Sequence, residues 1–281
     1  MPAAEKRSKK IIAVAPAKRK GARRMSEIPA SVLADLNAGR TETITLVEWL
    51  AIDIRQLMKA ILPEVGLDER AREILARTET LANESITRRC KGAGAMLQVI
   101  IHDHPRRDEI FEALAANRAD MVRSWANYAL SADTTVPLKK RVLLTRRFAA
   151  DSHMAVRECA WDGLRPYIAA DLKAGLALLE PWTRDRDPNI RRCAIECTRP
   201  RGVWCQHIEA LKDQPELALP LLENVRADAS NYVQRSVANW LNDASKHQPK
   251  WVQSVCKRWL KESDCKETRW IVNRALRTIR K

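Results

Sequence analysis

The chain has 281 residues, with 50 Lys and Arg against 35 Asp and Glu, a formal charge of +15. A hydrophobic content of 46% can fill a sizeable core and excludes a wholly disordered chain. Eight Gly and 13 Pro are few for many short strands and tight turns, and no apolar run reaches the ~18 residues of a membrane span. The first residues lack the apolar core of a secretory signal. Seven cysteines without paired spacing fit a reducing compartment, so a cytoplasmic protein is expected.

Residues 1–24 hold nine basic side chains and one acid, Glu5, a local charge of +8. Such a segment cannot bury enough surface to order itself, so a disordered basic arm that attracts polyanions is expected there. A helical repeat domain is expected over 25–281. Ile28, Val32, Leu33 and Leu36 form its first apolar face, ended by Asn37 and Gly39. A second stripe runs from Ile44 through Leu50, Ile54 and Leu57 to Ile61 and stops at Pro63. A third covers about residues 68–84, and Gly92–Gly94 introduces a fourth that ends at His104-Pro105.

The second half repeats itself. Val122, Val156, Ile190, Val233 and Ile271 align, at spacings of 34, 34, 43 and 38 residues. Four residues later stand Ala126, Ala160, Ala194, Val237 and Ala275, and eight later Leu130, Leu164, Thr198, Leu241 and Ile279. Arg123, Arg157 and Arg191 follow their anchors directly, with Arg235 displaced by one. Asp120, Asp151, Asp187 and Asp228 lie close upstream. Positions i, i+4 and i+8 share one helix face, and a small residue at i+4 admits a partner helix. The predicted fold is all-α: a HEAT-like α-solenoid of stacked antiparallel helix pairs.

Near the anchors, arginines interleave with Trp125, Trp161 and Trp204. Cations for phosphates beside flat faces for bases or sugars suit nucleic acid. Taken one at a time, the same residues also read as core tryptophans and a solvated basic face. Cys193, Cys197, Cys205 and His207 have no usual zinc spacing, so no metal is expected. No Gly-rich phosphate loop follows a strand.

The stretch Ser230–Asp243 (SNYVQRSVANWLND) resembles a hallmark of the HEAT-like alkylpurine DNA glycosylases, the AlkC/AlkD family. Ile190-Arg191-Arg192, then Glu196-Cys197-Thr198-Arg199-Pro200-Arg201 and Trp204, is similar to a segment of the AlkC branch, as is Leu164-Arg165-Pro166-Tyr167-Ile168. Ile28-Pro29, Leu36-Asn37 and Thr45-Leu46-Val47-Glu48 look like that branch's first helices. The resemblance covers about residues 26–281. Two departures stand out: Trp161-Asp162 where the family tends to carry Glu-Phe, and Cys197 where it has Gly.

The resemblance implies excision of bases alkylated on a ring nitrogen, such as 3-methyladenine, from duplex DNA, by a monomer without cofactor. A cationic base already has a weak glycosidic bond, so a carboxylate that stabilises the oxocarbenium sugar and positions water suffices. The carboxylates so implied are Glu196 and Asp162, with Glu158 in reserve. Trp125, Trp161 and Trp204 would wall the damaged nucleotide, and Arg165, Arg191, Arg199 and Arg201 would hold phosphates. Arg88, Arg89, Lys91 and Arg235 are expected as secondary contacts to the DNA backbone, and Asn239 and Asp243 as braces between repeats. Two alternatives stand beside this reading: a catalytically silent DNA-binding solenoid, and a protein–protein scaffold.

Overall fold

A computed structural model describes residues 19–202 and 205–280, and every described element is helical. The first helices are α1 (Ala30–Asn37), α2 (Leu46–Ala51), α3 (Ile54–Glu64), α4 (Ala71–Thr78) and α5 (Ile86–Ile101). There follow α6 (Arg107–Ala115), α7 (Asp120–Ala132), α8 (Leu138–Ala149), α9 (Met154–Ala170), α10 (Leu172–Leu179) and α11 (Pro188–Cys197). The last are α12 (Glu209–Asp213), α13 (Leu219–Asn224), α14 (Asn231–Ala244), α15 (Pro249–Glu262) and α16 (Lys266–Ala275). Among the described residues no helix is long and apolar enough to cross a membrane.

The repeated anchors fall on α7, α9, α11, α14 and α16, and all five are buried. These helices, preceded by α5, pack side by side in chain order, while α6, α8, α13 and α15 lie against them from the other side. The small residues four positions on are buried too, as a close helix crossing requires. Two copies depart at the eighth position: Thr198 is the C-cap of α11 but stays buried, while Ile279 lies beyond the end of α16 at Ala275 and is half-buried.

The arginine after each anchor has a structural task. The Arg123 guanidinium donates to the Asn117 and Arg118 carbonyls at 2.9 Å each. Arg157 does the same to Asp151 and Ser152 at 2.7 Å each, and Arg191 to Asp185 and Arg186 at 2.8 and 3.1 Å. Each thus ties down the loop before its own helix. Arg123 also forks onto Asp151, and Arg191 onto Asp228, acids at the entry to the next repeat. In the fourth copy Gln234 takes this position and donates to the Asp228 carbonyl at 2.7 Å, which leaves Arg235 exposed.

In the N-terminal third the predicted boundaries move. The stripe from Ile44 to Ile61 is two helices, because Asp53 accepts from the Arg55 and Gln56 amides and starts α3 afresh. Pro63 lies inside α3 rather than after it. Gly92 and Gly94 do not introduce a helix; they lie inside α5, which Ser85 caps. A Cβ on Gly94 would stand 2.5 Å from Tyr128 Cβ and 2.7 Å from the Trp125 carbonyl, so α5 and α7 meet in a contact that only glycine permits.

Residues 1–18 of the expected arm lie outside the described residues. Arg19, Gly21 and Ala22 lie against the domain, while Lys20, Arg23 and Arg24 are exposed. Glu48, fully buried, accepts from the Arg19 guanidinium at 2.5 and 2.9 Å, from the Ala22 amide at 3.0 Å and from the Ile44 amide at 2.8 Å.

Candidate active site

Six places after the anchors stand Tyr128, Asp162, Glu196 and Asn239 on α7, α9, α11 and α14, with Arg277 just beyond the end of α16. Two neighbouring pairs of these positions touch. The Tyr128 hydroxyl donates to Asp162 Oδ2 at 2.8 Å, and Arg277 donates to Asn239 at 3.0 Å. The positions two places after the anchors include Glu158 and Arg192, which pair at 2.6 Å.

Asp162 stands where two clefts meet. One, of 390 Å³, opens between α2 and α9 and is mainly apolar: Leu46, Trp49, Leu50, Tyr128 and Met154 line it, with Glu158 and Asp162 on one wall. The other, of 690 Å³, is the more polar of the two and lies between α9 and the 205–210 segment; Lys91, Asp162, Arg165 and His207 line it beside Ala169, Ala170 and Ile208. Asp162 is 7% exposed, and Lys91 Nζ is 2.7 Å from its Oδ2. Residue 166 is Pro, so the Asp162 carbonyl lacks the amide that would close its helical turn. Burial, then the neighbouring thiol of Cys159 and the Asp162 carboxylate, push the Tyr128 hydroxyl well above its ordinary value and keep it a donor.

Glu158, one helical turn before Asp162, is one-third exposed in its side chain. It accepts from Trp161 Nε1 at 2.7 Å and from Arg192 at 2.6 Å. Arg192 in turn lies over the Tyr232 ring, 4.2 Å from its centroid. Burial works against the Arg192 charge, but Glu158 and Glu196 outweigh it and hold the guanidinium above its usual range.

Several sequence expectations are corrected. Glu196 is buried in a bracing network: it accepts from Ser236 Oγ at 2.6 Å and from Arg199 at 3.1 Å, and lines neither cleft. Arg199 also pairs with Asp243 at 2.8 Å, so it links α11 to α14 instead of facing a phosphate. That pair makes Asp243 the expected brace, and Asn239 is bridged to Arg277. Trp125 is 0% exposed and cannot wall a nucleotide. Trp161 is buried and serves Glu158 through its ring N–H. Arg165 is buried and donates to the Cys197 carbonyl at 3.1 Å and the Gln206 carbonyl at 3.0 Å, holding the loop between them. Arg191 is committed to Asp228 and its own loop.

Other expectations map onto the surface or elsewhere. Trp204 lies outside the described residues. Arg201 is half-buried and Arg235 exposed. Arg88 is exposed beside Glu84 at 3.1 Å, and Arg89 donates to the Glu84 carbonyl at 2.8 Å. Lys91, expected on the DNA backbone, is instead the cation nearest Asp162 among the described residues.

The sequence reading misses Trp49, Leu46, Leu50, Met154 and Tyr128. Only Tyr128 left a usable signal, its register match to Asp162 at a separation of 34 residues. The wall from α2 comes from outside the repeated region and has no such counterpart.

Residues 138–279 match the family described as DNA alkylation repair enzyme. Over 118 residues the chain is 39% identical to the uncharacterized protein YhaZ of Bacillus subtilis (strain 168), which covers 42% of this chain and 32% of YhaZ. The chain is similar to the Pseudomonas fluorescens alkylpurine DNA glycosylase AlkC, solved bound to DNA containing an abasic site analog. That likeness has a TM-score of 0.69 at 26% identity and covers 81% of this chain and 62% of AlkC. The chain therefore spans about a third of one relative and less than two thirds of the other. AlkD2 from Streptococcus mutans shares the fold, with a TM-score of 0.53 at 19% identity over 80% of this chain and 98% of AlkD2. With half of its length matched, this helical-repeat chain belongs to the DNA alkylation repair enzyme family.

Proposed function

We propose that this protein is a DNA glycosylase that hydrolyses the N-glycosidic bond of bases carrying a positive charge from ring alkylation, acting as a monomer on duplex DNA. The observation that carries this reading is the pair of carboxylates, Asp162 and Glu158, on one wall of an otherwise apolar cleft. A carboxylate in such surroundings attracts a cation more strongly than it would in water. The lesion brings that cation, first on the base and then, as the bond breaks, on the sugar. Asp162 stabilises the oxocarbenium sugar and accepts the proton of the attacking water, and Glu158 draws in the cationic base. The faces of Trp49 and Tyr128 add cation–π attraction from the same cleft.

DNA lies along α5 and the anchored helices, where Arg88, Arg235 and, in the loop after α11, Arg201 reach phosphates and the residues before Arg19 add a nonspecific tether. The likeness to AlkC, solved bound to DNA, supports DNA as the partner.

The test is release of free base from duplex DNA treated with a methylating agent, with products separated by chromatography. Release by the wild-type protein is expected. Salt-sensitive DNA binding without release would replace this reading with that of a silent DNA binder.

A further inference from the structure

We propose that Lys91 and Tyr128 are positioning residues that hold Asp162 ionised and aimed, so that Lys91 sets the lower pH limit of the reaction. The inference rests on the glycosylase reading above and assigns Lys91 a role other than gripping the DNA backbone.

Lys91 Nζ and the Tyr128 hydroxyl meet the same oxygen, Asp162 Oδ2, at 2.7 and 2.8 Å. Among the described residues no hydrogen bond reaches Oδ1. The carboxylate is therefore anchored through one oxygen, and the other is left for a water or a sugar cation. The two anchors also support each other: Nζ lies 5.7 Å from the centroid of the Tyr128 ring. Gly94, one helical turn after Lys91, allows α5 to approach α7 closely enough for both to reach Asp162.

Asp162 is 7% exposed, so its charge has little water around it and is offset by a neighbouring cation. A protonated Asp162 could neither stabilise an oxocarbenium ion nor take a proton from water. Lys91 is the one cation within 4 Å of Asp162 among the described residues. It lines the more polar cleft and is absent from the lining of the apolar one. The ammonium thus compensates Asp162 from behind, without standing where a cationic base would have to enter.

Other titratable groups face Asp162. Cys90 on α5, Cys159 on α9 and Cys205 in the loop carry thiols near it, and burial raises those of Cys90 and Cys205. Glu158 shares its apolar wall, while Arg165, His207 and Glu209 line the more polar cleft with it. Glu158 and Glu209 are of the wrong sign to hold the carboxylate ionised. Arg165 spends its donors on the Cys197 and Gln206 carbonyls.

The experiment measures single-turnover base release against pH for the full chain, for Lys91→Met and for Lys91→Arg, with DNA affinity measured in parallel. Lys91→Met is expected to move the acid limb of the profile up by about one to three pH units, the usual size of an adjacent opposite charge. Lys91→Arg is expected to restore the wild-type limb. A Lys91→Met profile that superimposes on the wild type, with only DNA affinity reduced, would make Lys91 a phosphate contact and overturn the proposal.

A second readout does not depend on catalysis: the carboxyl carbon resonance of Asp162, assigned through Asp162→Asn and titrated without DNA. Its midpoint is expected to rise by a similar amount in Lys91→Met. An unchanged midpoint overturns the proposal even in a protein that releases base. A shifted midpoint in a protein that releases none would sustain the Lys91 assignment and reject the glycosylase reading alone.

Discussion

Tyr128 and Asp162 stand 34 residues apart, one repeat, and the hydroxyl of the first donates to the carboxylate of the second at 2.8 Å. A repeat that stacks its copies in register turns a sequence spacing into a contact, and here the contact falls on a carboxylate at the meeting of two clefts. Tyr128→Phe leaves the ring and removes the donor. A stability loss of about 1–3 kcal/mol is expected from the under-satisfied carboxylate, read as a lower urea midpoint at unchanged slope. An unchanged midpoint would mean that the bond contributes nothing net.

Glu196 tests whether the bracing network is structural. It sits between Arg199, Ser236 and, at 3.8 Å, Arg192. Glu196→Gln leaves buried cations under-compensated and is expected to cost about 3 kcal/mol of stability. Base release by the folded fraction should stay within about threefold of wild type, because Glu196 lines neither cleft. Loss of release at full stability would return Glu196 to the reaction.

Glu48 links pH to the N-terminal strap. Burial opposes its charge, but the Arg19 guanidinium and the Ala22 and Ile44 amides outweigh it and hold the carboxyl below its ordinary value of 4.5. Because the folded value is the lower one, the stabilisation is complete above about pH 4.5 and is lost as pH falls through the folded value. Glu48→Gln should remove this acid sensitivity and lower stability at neutral pH. Chain truncation separates the strap from the tether. Loss of residues 1–18 should leave the melting temperature unchanged and lower the salt slope of DNA binding. Loss of residues 1–24 should also lower the melting temperature, since it strips Arg19 and Ala22 from Glu48.

Gly94→Ala would force a methyl group to within 2.5 Å of Tyr128 Cβ and 2.7 Å of a backbone carbonyl. Overpacking of this kind costs about 1–3 kcal/mol, and separating α5 from α7 moves Lys91 away from Asp162. A fall in stability together with a raised acid limb of base release is expected. A stability loss alone would show that α5 shifts along its axis without losing the Lys91 contact.

The repeat was legible because five helices obey one spacing rule strictly enough for anchors and small residues to align by eye. Asp162 and Glu158, which the family resemblance implied, line the apolar cleft. The arginines after the anchors were misread for a physical reason: Arg191 has the composition of a phosphate contact, and only coordinates reveal that Asp228 and two carbonyls already occupy it. Trp125 was misread likewise, because a tryptophan in sequence does not state which way its helix faces. Leu46, Trp49 and Leu50 were out of reach, since α2 meets α9 across about a hundred residues with no periodicity in common.

The measurement that tests the central claim most directly is single-turnover release of methylated base by Asp162→Asn beside the wild type, at neutral pH and saturating protein. Asparagine keeps the shape and removes the charge. The account predicts base release by the wild type and a drop of at least about 100-fold in the variant, with DNA affinity nearly unchanged. Release by the variant at the wild-type rate would contradict it.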